Sequence, residues 1–276
     1  MEDIAPKLLE KIQQDFREGY TKSKKIKSLK SKLDSGIVSH KDSHSFAIEV
    51  GKILSQSFEK NLSSRILPDG KLYYNISDRI IRPALREDFD IVSKYATEVQ
   101  SDLNKKSRIG IKAIPPELNE DKVQGIIDIT SGKEKFDDIA YMLGEPIVNF
   151  TQAIIDDIIK ANAEFQYRSG LSPKIIRTSS GKCCEWCDKI AGTYEYENVR
   201  ESNNDVFKRH RACVCLVEFV TDKKQLQNVH SQKIADKKDI DNRIKNSFTK
   251  SQLVTKKTKE QAMALEEKLR KEMSVK

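Results

Sequence analysis

No stretch of this chain of 276 residues holds 18 consecutive apolar residues, which excludes a helical membrane span. Its start, Met1-Glu2-Asp3-Ile4, is acidic and lacks the basic-then-apolar order of a secretory signal, so the sequence predicts a protein made and folded in a cytoplasm. There is no phosphate-binding glycine loop, no dinucleotide fingerprint and no zinc-protease helix motif. Cysteine is absent from most of the chain: all five lie between Cys183 and Cys215, so none is left to staple the rest. Folding elsewhere must rest on an apolar core, for which the length suffices as one sizeable domain or two small ones. Of the four histidines, His40 and His44 sit in a polar stretch and His230 stands alone, which reads as three surface side chains.

Excess positive charge is missing from the middle of the chain. Residues 1–60 carry 12 basic and 9 acidic side chains, residues 61–220 carry 23 and 25, and residues 221–276 carry 15 and 8. A neutral body with two cationic ends suits a polyanion, because each Lys or Arg beside a phosphate releases a condensed counterion. The candidate nucleic-acid contacts are Lys22, Lys24, Lys25, Lys27, Lys30 and Lys32 at one end and Lys237, Lys238, Lys256 and Lys257 at the other. Between Glu18 and Asp34 no acid offsets the first six, and only Tyr20 among aromatics sits beside them, so base stacking is not expected. The plainer reading of lysine-rich ends is solubility.

Apolar periodicity predicts a mainly helical body. Ile4, Leu8, Leu9, Ile12 and Phe16 share a helical face in a basic amino-terminal arm, 1–64, whose second helix covers 43–64 with Phe46, Val50, Ile53, Leu54 and Phe58 inward. A helical body, 65–174, opens with two short strands, 65–67 and 71–76, around a Pro68-Asp69-Gly70 turn. Pro83 then fits the first turn of a helix to Lys105, a helix of about a dozen residues follows Asn119, a short one follows Lys133, and Pro146 opens a helix to Arg168. Ile147, Phe150, Ile154, Ile155, Ile158, Ile159 and Phe165 form the apolar face of that last helix. From 175 to 230 the texture changes to β-branched and aromatic runs at 175–178, 194–196 and 214–220, a small antiparallel sheet. Residues 231–276 form a basic tail. The expected fold class is thus α+β: a mainly helical body followed by a small antiparallel sheet carrying a zinc-knuckle-like cysteine cluster, flanked by basic helical or extended arms.

The cluster reads Cys184-x-x-Cys187, twenty-two residues, then His210-x-x-Cys213-x-Cys215. Two thiolates two residues apart can grip one ion when the Glu185-Trp186 backbone turns tightly, and Cys213 and Cys215 would share one face of a strand. His210 either replaces one of them as a nitrogen ligand or hydrogen-bonds a thiolate from outside. In a reducing compartment such clustered cysteines point to a metal, zinc above all, over disulfides. Five donors exceed the four a tetrahedral ion needs, which favours a closed structural site over a catalytic one with an open position. A Cys nucleophile with His210 as base competes for the same sulfurs, so no catalytic residue is assigned.

The run Arg177 to Cys187, the following Ile190-Ala191-Gly192 and Tyr194, and Val206 to Glu218 with its His210-x-x-Cys213-x-Cys215 resemble the carboxy-terminal module of tailed-phage minor head proteins. These are the Mu-F-like head morphogenesis proteins of phages and prophages of Gram-positive bacteria. The resemblance extends more weakly over residues 80–230, through 144–150, 162–163 and 227–229, and leaves out both basic ends. It implies a minor capsid protein in the virion, near the portal, made in the host cytoplasm and acting in head assembly with portal and capsid proteins and double-stranded DNA as partners, and no membrane. Val214 departs from the polar residue that often precedes the last cysteine and hints at a more buried strand. The rival expectations are a metal- or thiol-dependent nuclease or transferase delivered with phage DNA, and a free zinc-containing DNA-binding protein.

Overall fold

The structure, a computed structural model, describes residues 3–132, 134–179, 184–201 and 204–221. Nine α-helices occur among them: α1 (Ala5–Lys22), α2 (Lys24–Asp34), α3 (His40–Asn61), α4 (Tyr74–Lys106), α5 (Glu120–Thr130), α6 (Phe136–Ile139), α7 (Glu145–Arg168), α8 (Glu185–Lys189) and α9 (Tyr196–Val199). Strands β1 (Pro173–Thr178), β2 (Gly192–Glu195) and β3 (Leu216–Thr221) make one antiparallel sheet in the order β2-β1-β3. The class is α+β as expected.

Local chemistry sets the helix starts. Ser23 caps α2 by accepting from the Ile26 amide, and Ser39 and Asp42 form a reciprocal capping box that starts α3 at His40, three residues before the expected 43. Asn119 caps α5 through the Lys122 amide. Each helix buries one stripe: Leu8, Ile12 and Phe16 from α1, Phe46, Val50, Leu54 and Phe58 from α3, Ile147, Ile155 and Ile159 from α7. At the α3–α7 crossing, Gly51 lets the backbones close in, since a Cβ there would lie 2.8 Å from Thr151 Oγ1 and 3.0 Å from Val148 Cα.

Several expectations need correction. Residues 65–76 form no strand pair; Pro68–Gly70 is a turn of 3₁₀ helix with Asp69 and Gly70 at positive φ, and Leu67 and Leu72 on either side of it plug into the core. Five residues of apolar alternation could not separate a strand from a loop flanked by core plugs. Pro83 does not start a helix but lies inside α4, which begins at Tyr74. The hydrogen bond lost at the proline is offset by burying Ile76, Ile80 and Ile81 on the turns before it. Phe165 is exposed, off the α7 stripe. The third strand starts at Leu216, so Val214 precedes it.

Residues 3–64 are no outlying arm. One core runs without interruption from Leu8 of α1 through α3, α4 and α7 to Val217 and Phe219 of β3, and all described residues fall in one compact unit. The expected boundaries at 64/65 and 174/175 therefore separate no cores. The expected tail, 231–276, lies outside the described residues.

A buried polar chain locks sheet to helices. His40 Nε2 lies 3.0 Å from Gln100 Oε1, Gln100 Nε2 donates to Asn104 Oδ1 (2.8 Å), and Gln166 Nε2 donates to the same oxygen (3.2 Å). Thr221 at the end of β3 donates to Gln166 Oε1. Asn162 mimics a strand partner for the irregular stretch before α5, exchanging two 2.8 Å bonds with the backbone of Ile114. Buried amides satisfied this fully fix one arrangement, because each lost partner would leave a desolvated dipole.

Candidate metal centre

The two arms of the cysteine motif meet where the sheet joins α7. Cys184 precedes α8 and Cys187 lies inside it, so the single turn between them directs both sulfurs to one side. Cys213 and Cys215 lie just before β3 and not on it, contrary to the strand expectation. Their convergence comes from a tight turn, with the Cys213 amide donating to His210 O (3.1 Å) and Ala212 held at φ 58°. Val214, between them, is exposed, opposite to the buried strand its apolar side chain suggested.

Donor atoms of Cys184, Cys187 and His210 lie within 4.8 Å of one another, as do those of Cys187, Cys213 and Cys215, with Cys187 common to both groups. This Cys/His cluster could hold a metal ion. Cys187 Sγ is 3.9 Å from Cys213 Sγ, close to the ~3.8 Å edge expected for two sulfurs about 2.3 Å from a tetrahedral ion. His210 Nε2 lies 2.9 Å from Cys187 Sγ and 3.3 Å from Cys184 Sγ. Its Nδ1 faces Arg211 O at 2.6 Å, so Nδ1 carries the proton and Nε2 presents a bare lone pair to the sulfurs.

Burial divides the thiols. Cys187, Cys213 and Cys215 are at most 1% exposed, while Cys184 is open. Burial first, then the crowding of neighbouring sulfurs, pushes the Cys187 thiol up, and burial does the same to Cys215. The Cys187 backbone amide holds the Cys184 thiol below its ordinary value. Proton and divalent ion compete for the same lone pairs, so a bound ion replaces the protons that burial retains.

Two arginines back the sulfurs. Arg209 Nη1 lies 4.0 Å from Cys213 Sγ and donates to Cys215 O (3.0 Å) and Gln152 Oε1 (2.8 Å), while its other nitrogens grip Asp156. Arg177 Nη2 lies 3.6 Å from Cys213 Sγ. Behind Arg209, His44 is fully buried, not on the surface as expected. Its Nε2 is 2.8 Å from Val217 O and its Nδ1 is 3.4 Å from Arg209 Nη2, so the proton sits on Nε2 and burial lowers the imidazole to about 4. His40 is buried too, and His230 lies outside the described residues.

No family model, curated protein or solved structure matches this chain.

Arg177, Arg209, Asp156 and His44 were not singled out from sequence as parts of this site. Arg177 had a readable signal: it falls two residues after Ile175, on the inward face of β1 by strand alternation. The others are joined only by tertiary structure.

The lysine strip is less bare than its sequence suggests. Lys22 pairs with Glu18, Lys25 with Glu49 (3.7 Å) and Lys32 with Asp42 (2.8 Å), while Lys30 sits 4.6 Å over the Tyr20 ring. The acids from α3 were invisible to a count along α2. Lys24, Lys27 and Lys30 have no ion-pair partner among the described residues, and Lys237, Lys238, Lys256 and Lys257 lie outside them. No helix of the described residues is long and apolar enough to cross a membrane.

Proposed function

We propose that this chain is a structural minor head protein of a tailed phage, carried in the virion near the portal, with one structural zinc ion holding its sheet to its helical body. What carries the reading is the convergence of all five donors of the motif through which the sequence resembles phage head morphogenesis proteins. Soft thiolates with one imidazole suit zinc better than the oxygen-seeking ions. A filled site of this kind adds on the order of 10 kcal/mol to the folding of a small subdomain. The ion then works as a scaffold and not as a reagent, and the partners are portal and capsid proteins.

Double-stranded DNA is the further partner, through residues 221–276 more than through α2, two of whose five lysines are already paired with acids of α3. Zinc analysis of the purified protein, melting before and after chelation, and mass spectrometry of purified particles test the reading. A metal-free protein whose melting ignores chelator removes the staple; absence from particles removes the virion role. For DNA, affinity must fall steeply with salt and drop when residues 222–276 are deleted. A folded but enzymatically silent Cys213→Ser variant of an active wild type would instead favour a catalytic metal centre.

A further inference from the structure

Among the described residues, Arg177 is the largest side chain buried to within 2% of full coverage, and it stands in a strand position where an aliphatic residue would ordinarily go. Its Nη1 donates to Val206 O (2.5 Å) and Lys208 O (3.0 Å), its guanidinium carbon lies 5.6 Å over the Trp186 ring, and its Nη2 points at Cys213 Sγ. Its Nε has no hydrogen-bond partner, and no carboxylate comes within ion-pair distance of it among the described residues. The other interior arginine beside the sulfurs, Arg209, has Asp156. A guanidinium taken out of water without an anion is strongly disfavoured, and carbonyl dipoles and a ring face return only part of the lost solvation.

We infer that Arg177 is the built-in counter-charge of a metal–thiolate centre: its anion is the set of metal-bound sulfurs around Cys213. This deepens the proposed function and rests on its metal reading. Charge counting makes the fit specific. Three thiolates and one neutral imidazole around a divalent ion leave one negative charge and four thiolates leave two, so either set presents net negative charge to Arg177, since Arg209 is already neutralised by Asp156. The same count disfavours an ion held by neutral or oxygen donors, which would place positive charge beside an unpaired guanidinium. Without the ion no metal–thiolate centre faces Arg177, so the residue stabilises the loaded protein and not the empty one.

The difference between the loaded and the empty protein is the test. Trp186, the single tryptophan, packs edge-on to His210 at 5.7 Å, so its emission reports loading without a label. Zinc affinity, measured by chelator competition on the full chain, is expected to fall about 10- to 100-fold in Arg177→Gln, the range for lost outer-shell partners. Arg177→Lys, which keeps the charge, should recover most of that loss. The metal-free Arg177→Gln protein should melt no lower than metal-free wild type. Equal zinc affinity in wild type and Arg177→Gln overturns the counter-charge while leaving the metal centre standing. Equal weakening in Gln and Lys variants, or a metal-free Gln variant that melts lower than wild type, assigns Arg177 to packing alone and also overturns it. A wild type that takes up no zinc sinks the metal reading itself, and this inference with it.

Discussion

Arg209 and Asp156 form a two-pronged ion pair in the interior, with Arg209 Nη2 2.8 Å from Asp156 Oδ1 and side-chain exposures of 4% and 3%. The pair joins the turn before Cys213 to the middle of α7, and it carries the imidazole of His44 on its far side. Removing one partner leaves the other charge buried and alone. Asp156→Ala should therefore cost about 3–5 kcal/mol of stability, whereas the double change Arg209→Met with Asp156→Leu should cost far less. Urea unfolding of both variants checks this, and a mild Asp156→Ala effect would show that water reaches Arg209.

Asp88 of α4 is buried, and only one of its oxygens has a partner, the Thr151 hydroxyl at 2.9 Å. That hydroxyl also lies 2.9 Å from Ile147 O, and its single hydrogen cannot serve both. A protonated Asp88 resolves the conflict by donating to Thr151, which donates onward to Ile147. Burial pushes the carboxyl up to about 8 from 3.8. Because the folded value lies above the unfolded one, the native state holds a proton that the unfolded chain releases, and stability declines as pH rises between these values. The slope is about 1.4 kcal/mol per pH unit. Asp88→Asn should match wild type near pH 4 and exceed it increasingly up to pH 8, in denaturant titrations at several pH values. His44, lowered to about 4, acts in the opposite sense below its ordinary 6.5, where acid weakens the fold.

The helices were legible because their stripes are local: the apolar faces of α1, α3 and α7 are written within a few residues, whereas the Ser39 capping box went unread and put the expected start of α3 three residues late. The five donors were legible for the same reason, each arm being a short motif. What could not be read was partnership across the chain. Glu49 and Asp42 neutralise lysines of α2 from another helix, His44 meets Val217 across 173 positions, and Asp156 meets Arg209 across 53. Pro83 misled because a proline marks both a first turn and an interior position that buried neighbours can sustain.

Gly51 sets the distance between α3 and α7. A methyl group there meets Thr151 Oγ1, which is tied to Asp88 and Ile147, and the Val148 backbone, and none of these can retreat cheaply. Although alanine is the better helix former by about 1 kcal/mol, Gly51→Ala should destabilise by about 1–3 kcal/mol through overpacking. A rise in melting temperature would mean the helices separate freely.

The five donors are not equivalent, and two substitutions separate them. His210 has its Nδ1 proton engaged by Arg211 O and its Nε2 turned to Cys187, the arrangement of a ligating imidazole held by an outer acceptor. Cys184 and His210 both lie outside the group formed by the three buried sulfurs and adjoin it through Cys187, but Cys184 is exposed. For an ion seated on Cys187, Cys213 and Cys215, the anchored imidazole of His210 is the expected fourth ligand and Cys184 the expected bystander. His210→Ala should lose stoichiometric zinc and lower the melting temperature of the loaded protein to that of the chelated one, whereas Cys184→Ser should keep one zinc per chain with only modest weakening. Elemental analysis and chelator competition on the two variants decide it: retention by His210→Ala together with loss in Cys184→Ser would exchange the two roles and place the ion nearer the surface.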